Sequence, residues 1–393
     1  MSILDKASLI QIPSGYKSTK LYSLRPSNGT GDFTFARSSS GIRVNSEGLI
    51  EEMSANVPRL DYSDGSCASL LLEGQSTNIL PYSEDFANSA WSKSNVTLTS
   101  NNTISPDGTQ NASKLVSTGA DGNLQDSISV ASGTTYTFSV YLKTISGTLD
   151  IAISLGSPGF PQNEGDGGRY KNITVTNEWK RYTITSTADA SASTGVGVGG
   201  FNTFSTGEQV YVWGAQLEAK NYVSSYIPTS GSTVTRTADV CNNAGTAATF
   251  NSTEGVLFAE IAALADDGTY RMISLSDGTA TNRITFFYQN SPSNTIAVES
   301  AGSGTNLGIY GQSLTITNSN KIAIKYKAND CALWVNGVEV ATDTSFAAFS
   351  SGTFTKLSFD RGDGIHDFYG KCNQIQVYNT ALTDTELAAL TTL

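Results

Sequence analysis

The chain has 393 residues and a net charge of −11, with only 15% of residues charged and 38% hydrophobic. At about 100–200 residues per domain this length holds two or three domains, and abundant Gly, Ser, Thr and Asn favour short strands and turns over long helices. The acidity, with no Lys/Arg run, excludes a nucleic-acid or anionic-membrane binder, and no segment reaches the roughly 18 apolar residues of a transmembrane helix.

The start, MSILDKASLIQIPSGYK, lacks the apolar length and small-residue cleavage site of a secretory signal. The expectation is a chain made in a cytosol that stays soluble. Residues 1–88 alternate short apolar pieces with the turn signals SNGTGD and SDGS, and show no regular repeat of strands. Within them LLLEGQSTNILPYSEDF reads as a strand, a turn and an exit segment. Such a region is expected to be extended and to pack along other subunits rather than close a core of its own.

Residues 89–231 have the pattern of a β-sandwich. TTYTFSVYLKT puts Tyr136, Phe138, Val140 and Leu142 on one face and Thr135, Thr137, Ser139 and Tyr141 on the other. LDIAISL, EWKRYTITST and QVYVWGAQLE are further strands at jelly-roll spacing. In QVYVWGAQLE both faces begin apolar, so this strand is expected inside a sheet covered twice, by its partner sheet and by a neighbouring segment or subunit. A sugar platform would instead pair exposed rings with a polar face. Trp91, Trp179 and Trp334 are read as core or edge anchors. Pro228 marks the exit into the last domain.

Residues 232–393 form a second sandwich, with strands in EGVLFAEIAAL, RMISLSD, RITFFYQ, NTIAVES, NKIAIKYKA, CALWVNGVEVAT, TFTKLSFD and NQIQVYN. Asn336-Gly337 is the strongest hairpin signal, because a type I′ turn needs positive φ at both central residues. One helix is predicted over Thr383–Leu390, with Thr383 and Glu386 as a capping box. The fold class is therefore all-β: tandem antiparallel sandwiches of jelly-roll type after an extended N-terminal anchoring region.

Catalytic groups are scarce. The single histidine, His366, lies in the Gly/Asp-rich DRGDGIHDFYG and reads as a solvated loop residue rather than a triad member. Glycoside hydrolysis needs two carboxylates flanking the bond, and the nearest approach, Glu164 and Asp166 in NEGDGGRY, lies in a loop. No enzyme is expected. The four cysteines, Cys67, Cys241, Cys331 and Cys372, form no CxxC pair and read as reduced thiols, with the pairing of Cys331 and Cys372 left open. Calcium is the one cation with candidate ligands, the loop carboxylates Asp266, Asp267, Asp360 and Asp363. The Arg361-Gly362-Asp363 tripeptide is common by chance in such loops. For a glycan, the long Gly/Pro-rich loop SPGFPQNEGDGGRY offers Phe160 and Tyr170 for stacking beside Asn163, Asp166 and Arg169.

Three segments resemble known families. CALWVNGVEV and FYGKCNQIQVYNTALTDTELAAL resemble laminin-G-like and concanavalin-like sandwiches. NILPYSEDFANSAWSKSNVTLT, SPDGTQNASKLV, TYTFSVYLKT, EWKRYTIT and VYVWGAQLEAKNYVSSYIPT resemble the carbohydrate-binding-module sandwiches of bacteriophage structural proteins. FTFARSSSGIRVNSEGLIEE and NVPRLDYSDGSCASLLLEGQSTNIL resemble the leader that precedes such sandwiches in tailed-phage virion proteins. The resemblance implies a virion surface protein assembled in the host cytoplasm: a head fibre, decoration protein or tail fibre. It implies a homotrimer held to other virion proteins by its N-terminal region, with lectin-like sandwiches facing cell-surface glycans. The alternatives are a decoration or collar protein that touches only virion subunits, and a glycan depolymerase.

Overall fold

The computed structural model describes residues 2–290, 295–302 and 308–393. The fold is all-β, with antiparallel sheets throughout and one α-helix among the described residues. It divides into two compact units.

One unit is formed by Glu47–Glu52 and Gln75–Thr237. Two five-stranded sheets face each other. The first takes Trp91–Ser94, Asn123–Val130, Ala192–Gly199, Leu149–Ser154 and Tyr170–Val175 in that order. The second takes Val96–Thr103, Ala112–Ser117, Gln209–Glu218, Thr135–Thr144 and Lys180–Thr187. Alternation fills the space between them: Phe138, Val140 and Leu142 meet Leu124, Ile151, Ile153 and Val196, all fully buried. Each such side chain contributes about 1.5–3 kcal/mol.

The strand Gln209–Glu218 is covered on both sides, as its composition predicts. Val210 and Val212 enter the sandwich core. Trp213 points the other way and is closed over by Tyr226 and Tyr141, at ring-centroid distances of 4.8 and 5.4 Å. The register against Thr135–Thr144 slips between Ser139 and Tyr141, opposite Gly214. Gly214 has φ 61°, and a Cβ there would lie 3.1 Å from the Tyr141 ring. Glycine takes this kink beneath two aromatic rings without the strain a Cβ would bring.

The other unit gathers three pieces of chain: the residues up to Ser46, Met53–Gly74 and Ala238–Leu393. This corrects the expectation of a separate region 1–88, and moves the later borders from 88/89 and 231/232 to 74/75 and 237/238. The reason lies in the last strand, Gly370–Tyr378. Along one edge it pairs with Glu254–Ala263; along the other it takes Ser69–Leu72 at its start and Ala7–Gln11 at its end. The N-terminal strands thus complete an eight-stranded sheet. Leu9, Leu70 and Leu72 enter the core this sheet shares with the five-stranded sheet Gly308–Ser313, Thr295–Ala301, Arg283–Tyr288, Arg271–Ser276 and Lys356–Ser358.

Where the three pieces meet lies a fully buried ion cluster. Asp239 accepts from Arg37 at 3.1 Å and from Arg59; Arg59 also donates to Glu73 at 2.5 Å. Glu73 and Asp239 are further tied through their backbones, Glu73 N–H donating to the Asp239 carboxylate at 2.7 Å and Asp239 N–H to the Glu73 carbonyl at 2.9 Å. The carbonyls of Ser39, Ser54 and Ile42 accept from the two guanidinium groups. Buried charge is tolerable only with this degree of pairing.

The hairpin and helix follow the sequence. Asn336 (φ 50°) and Gly337 (φ 85°) turn Cys331–Val335 into Val338–Asp343. The helix Asp384–Thr391 is capped by Thr383, whose N–H donates to Glu386 at 3.0 Å. Its Leu387 packs with Phe258 and Trp334 on the outer face of the eight-stranded sheet. All four cysteines are free.

Candidate functional site

The five-stranded sheet of the discontinuous unit has an inward face of Ile273, Leu275, Ile284, Phe286, Tyr288 and Val298. Its opposite face is apolar as well. Met272, Phe287 and Ala297 align in register across three strands, and the half-buried Tyr270 packs beside them. Over this row folds the loop 361–366. It is pinned where Met272 N–H donates to the His366 carbonyl at 3.1 Å and Arg361 N–H to the Ile365 carbonyl at 2.9 Å.

The result is a cleft of about 360 Å³. Its aromatic part is Tyr270, with the Phe287 ring 5.7 Å and the His366 ring 5.0 Å from its own. Its rim is charged but paired: Arg283 holds Glu299 at 2.6 Å, and Arg361 holds Asp363 at 2.6 Å. Gln289 adds an amide. Burial and the neighbouring Arg361 push the His366 pKa down, so the imidazole is neutral at physiological pH. Chemically this is a polar-rimmed aromatic slot without net charge. It can stack the apolar face of a small ring and hydrogen-bond its hydroxyls.

His366 therefore lines a cleft, where the sequence reads it as a solvated loop residue. The Arg361-Gly362-Asp363 tripeptide is closed on itself by its own ion pair. RITFFYQ carried a signal: with Ile284, Phe286 and Tyr288 facing inward, Phe287 is an aromatic on the face that ought to be polar.

The calcium ligands do not fit that ion. Asp267 is held by Arg271 at 2.8 Å and accepts from Thr269 N–H and Oγ1. Asp360 is buried and accepts from Gly362 N–H. Asp363 is taken by Arg361, and the exposed Asp266 borders a separate groove of about 320 Å³ beside Ser313–Thr317. Asp267, Asp360 and Asp363 face N–H donors where calcium needs converging oxygens. Among the described residues no cluster of three or more His, Cys, Asp or Glu could hold a metal.

The glycan loop is partly dismantled. Phe160 is 2% exposed and sits edge-on to Tyr136 in the core, so it cannot stack on a ligand. Gly159, at φ 117°, lets the chain turn inward there. Asp166 pairs with Lys171 at 2.7 Å and accepts from Thr185 N–H. Asn163 is exposed, its carbonyl accepting from Arg169 N–H. Tyr170 and Arg169 do come together, but on Phe201: the Tyr170 ring stacks on it at 4.1 Å and the guanidinium lies 5.3 Å from its centroid.

Residues 248–388 match the model of the Laminin_G_3 family, described as the concanavalin A-like lectin/glucanase superfamily. The cleft lies within that segment. No curated protein matches the chain in sequence. Among solved structures the chain is similar to the CBM40 domain of the Ruminococcus gnavus IT-sialidase (20% identity, TM-score 0.30, 36% of this chain and 83% of that one). It is also similar to domain 4 of an extracellular arabinanase from Geobacillus stearothermophilus solved with arabinotriose (14%, 0.32, 39% and 73%). A third is a heptameric SAP-like pentraxin from Limulus polyphemus (12%, 0.29, 35% and 69%). The segment 248–388 is thus similar to concanavalin A-like sandwiches.

Proposed function

We propose that the chain is a non-enzymatic surface protein of a tailed-phage particle that attaches to glycans through the cleft of its concanavalin-type sandwich. The observation that carries the glycan reading is the cleft itself: Tyr270, Phe287 and His366 beneath two closed Arg–carboxylate pairs, inside the segment with lectin-family similarity. The absence of enzymatic function is supported by the state of those groups. Glu299 and Asp363, the carboxylates at the cleft, are each held in an ion pair with an arginine, whereas hydrolysis would need two carboxylates free to flank the bond. The particle location and the trimer are supported by the resemblance of the N-terminal and middle segments to virion proteins.

A glycan array probed with the intact chain and with Tyr270→Ala tests the site. Binding that is lost with Tyr270→Ala is the expected outcome. Uniform absence of binding favours the purely structural role, and release of reducing sugar from host capsule would establish a depolymerase. Electron microscopy of antibody-labelled virions tests the location.

A further inference from the structure

The sequence holds two Asn-Gly steps, Asn28-Gly29 and Asn336-Gly337. In such a step the backbone nitrogen of the glycine can attack the side-chain carbonyl carbon of the asparagine, because no Cβ crowds the approach. The fold places the two steps in opposite circumstances.

Asn336 is locked at every atom the reaction uses. Its Oδ1 accepts from Lys321 N–H at 2.9 Å and its Nδ2 donates to Asn320 Oδ1 at 3.0 Å. The nucleophile would be the Gly337 nitrogen, whose N–H donates to Thr391 Oγ1 at 3.1 Å. Both residues are half-buried.

Asn28 and Gly29 instead stand exposed at the tip of a turn over residues 26–32. The base of that turn is firm. The Asp32 carboxylate accepts from Ser23 N–H at 2.8 Å, Asp32 N–H donates to the Gly29 carbonyl at 3.2 Å, and Ser23 Oγ donates to the Pro26 carbonyl at 3.0 Å. At the tip, Thr30 donates to Asn28 Oδ1 through its N–H at 3.1 Å and its Oγ1 at 2.7 Å. These bonds hold the carboxamide by its oxygen and polarise the carbon under attack, since that oxygen gains negative charge as the new bond forms. Among the described residues no group accepts from Asn28 Nδ2 or Gly29 N–H. The leaving group and the nucleophile are both open to water.

We propose that Asn28 is a site of spontaneous deamidation, which the fold permits there and suppresses at Asn336. The Gly29 nitrogen bonds to Asn28 Cγ, the Cγ–Nδ2 bond breaks, and Nδ2 leaves as ammonia with the proton the Gly29 nitrogen gives up. Water then opens the succinimide at one carbonyl or the other, giving aspartate or isoaspartate. Either product adds a negative charge in the turn of Asp32, whose Oδ2 lies 3.5 Å from where a Cβ on Gly29 would stand. Isoaspartate also inserts a methylene into the backbone of this turn, whose Thr30 carbonyl accepts from Gly245 N–H at 2.9 Å. The modification therefore falls on a join between the first and third pieces of the discontinuous unit. It involves neither the cleft nor any glycan.

Incubation of the full chain in neutral buffer tests this, read by peptide mapping with mass spectrometry and by a methyltransferase specific for isoaspartate. The expected result is product at Asn28 forming about ten-fold or more faster than at Asn336, where the bonds on nucleophile and leaving group must first break. In urea the two steps should react at similar rates, because the difference lies in the fold. Asn28→Gln should remove most of the isoaspartate, since the longer side chain closes the ring far less readily. Comparable rates at the two steps of the folded chain, or faster reaction at Asn336, would overturn the proposal. So would a preference for Asn28 that persists unchanged in urea, or an isoaspartate signal that survives Asn28→Gln.

Discussion

The two units solve the same architectural problem with different materials. The continuous one runs almost unbroken from Gln75 to Thr237 and fills its sandwich with alternating aliphatic and aromatic side chains. The other collects three stretches of chain, and at their junction puts Arg37, Arg59, Glu73 and Asp239 out of reach of water. Hydrophobic contacts are undirected; guanidinium–carboxylate pairs accept few arrangements. The contrast teaches that a unit assembled from distant pieces can use buried charge to define which pieces meet and in what geometry.

The largest expected effect tests that contrast. Asp239→Ala leaves two guanidinium groups without their shared carboxylate and should cost about 3–5 kcal/mol. Urea denaturation would measure the loss, and hydrogen exchange would place it in the strands Ala7–Gln11, Arg59–Asp61 and Ser69–Leu72. A cost below that of an exposed pair would mean the cluster is incidental. In the continuous unit, Leu142→Ala should cost about 3 kcal/mol through the cavity it leaves, with faster exchange in Thr135–Thr144 and Lys180–Thr187.

The smallest effect concerns Asp367. Burial, with the nearby Asp360 adding to it, pushes its pKa up to about 6 from 3.8. The folded state thus holds this proton more tightly than the unfolded chain. Its contribution favours folding below about pH 4 and is lost as the pH rises through 6. Asp367→Asn should therefore stabilise the protein by about 1 kcal/mol at pH 7.5, after allowance for solvent screening, and leave it unchanged at pH 3.5. Melting curves at the two pH values decide this.

What could be seen in the residues was what is encoded locally. Tyr136, Phe138, Val140 and Leu142 share the inner face that alternation assigns them, Asn336-Gly337 makes its turn, and Thr383 caps its helix. The double covering of Trp213 was legible too, because a strand apolar on both sides has no other stable home. The N-terminal strands were not legible, since the partner of Ala7–Gln11 lies more than 350 residues downstream and a five-residue strand carries no mark of its partner. Phe160 was misjudged because Gly and Pro around it signal a loop, and a loop can still send one ring into the core. The cleft joins Tyr270, Phe287 and His366 from three segments, and no spacing within a sequence records that convergence.

The pairing of residues 7–11 with 375–378 also sets an order of events during synthesis. The opening strand leaves the ribosome with no edge to join, and its partner follows after roughly 20–70 s at ordinary elongation rates. The continuous unit can close in that interval; its neighbour cannot. A truncated translation product lacking the final strand would keep its first residues unpaired and its sheet open. Closure of this sheet therefore waits on the synthesis of residues 370–378.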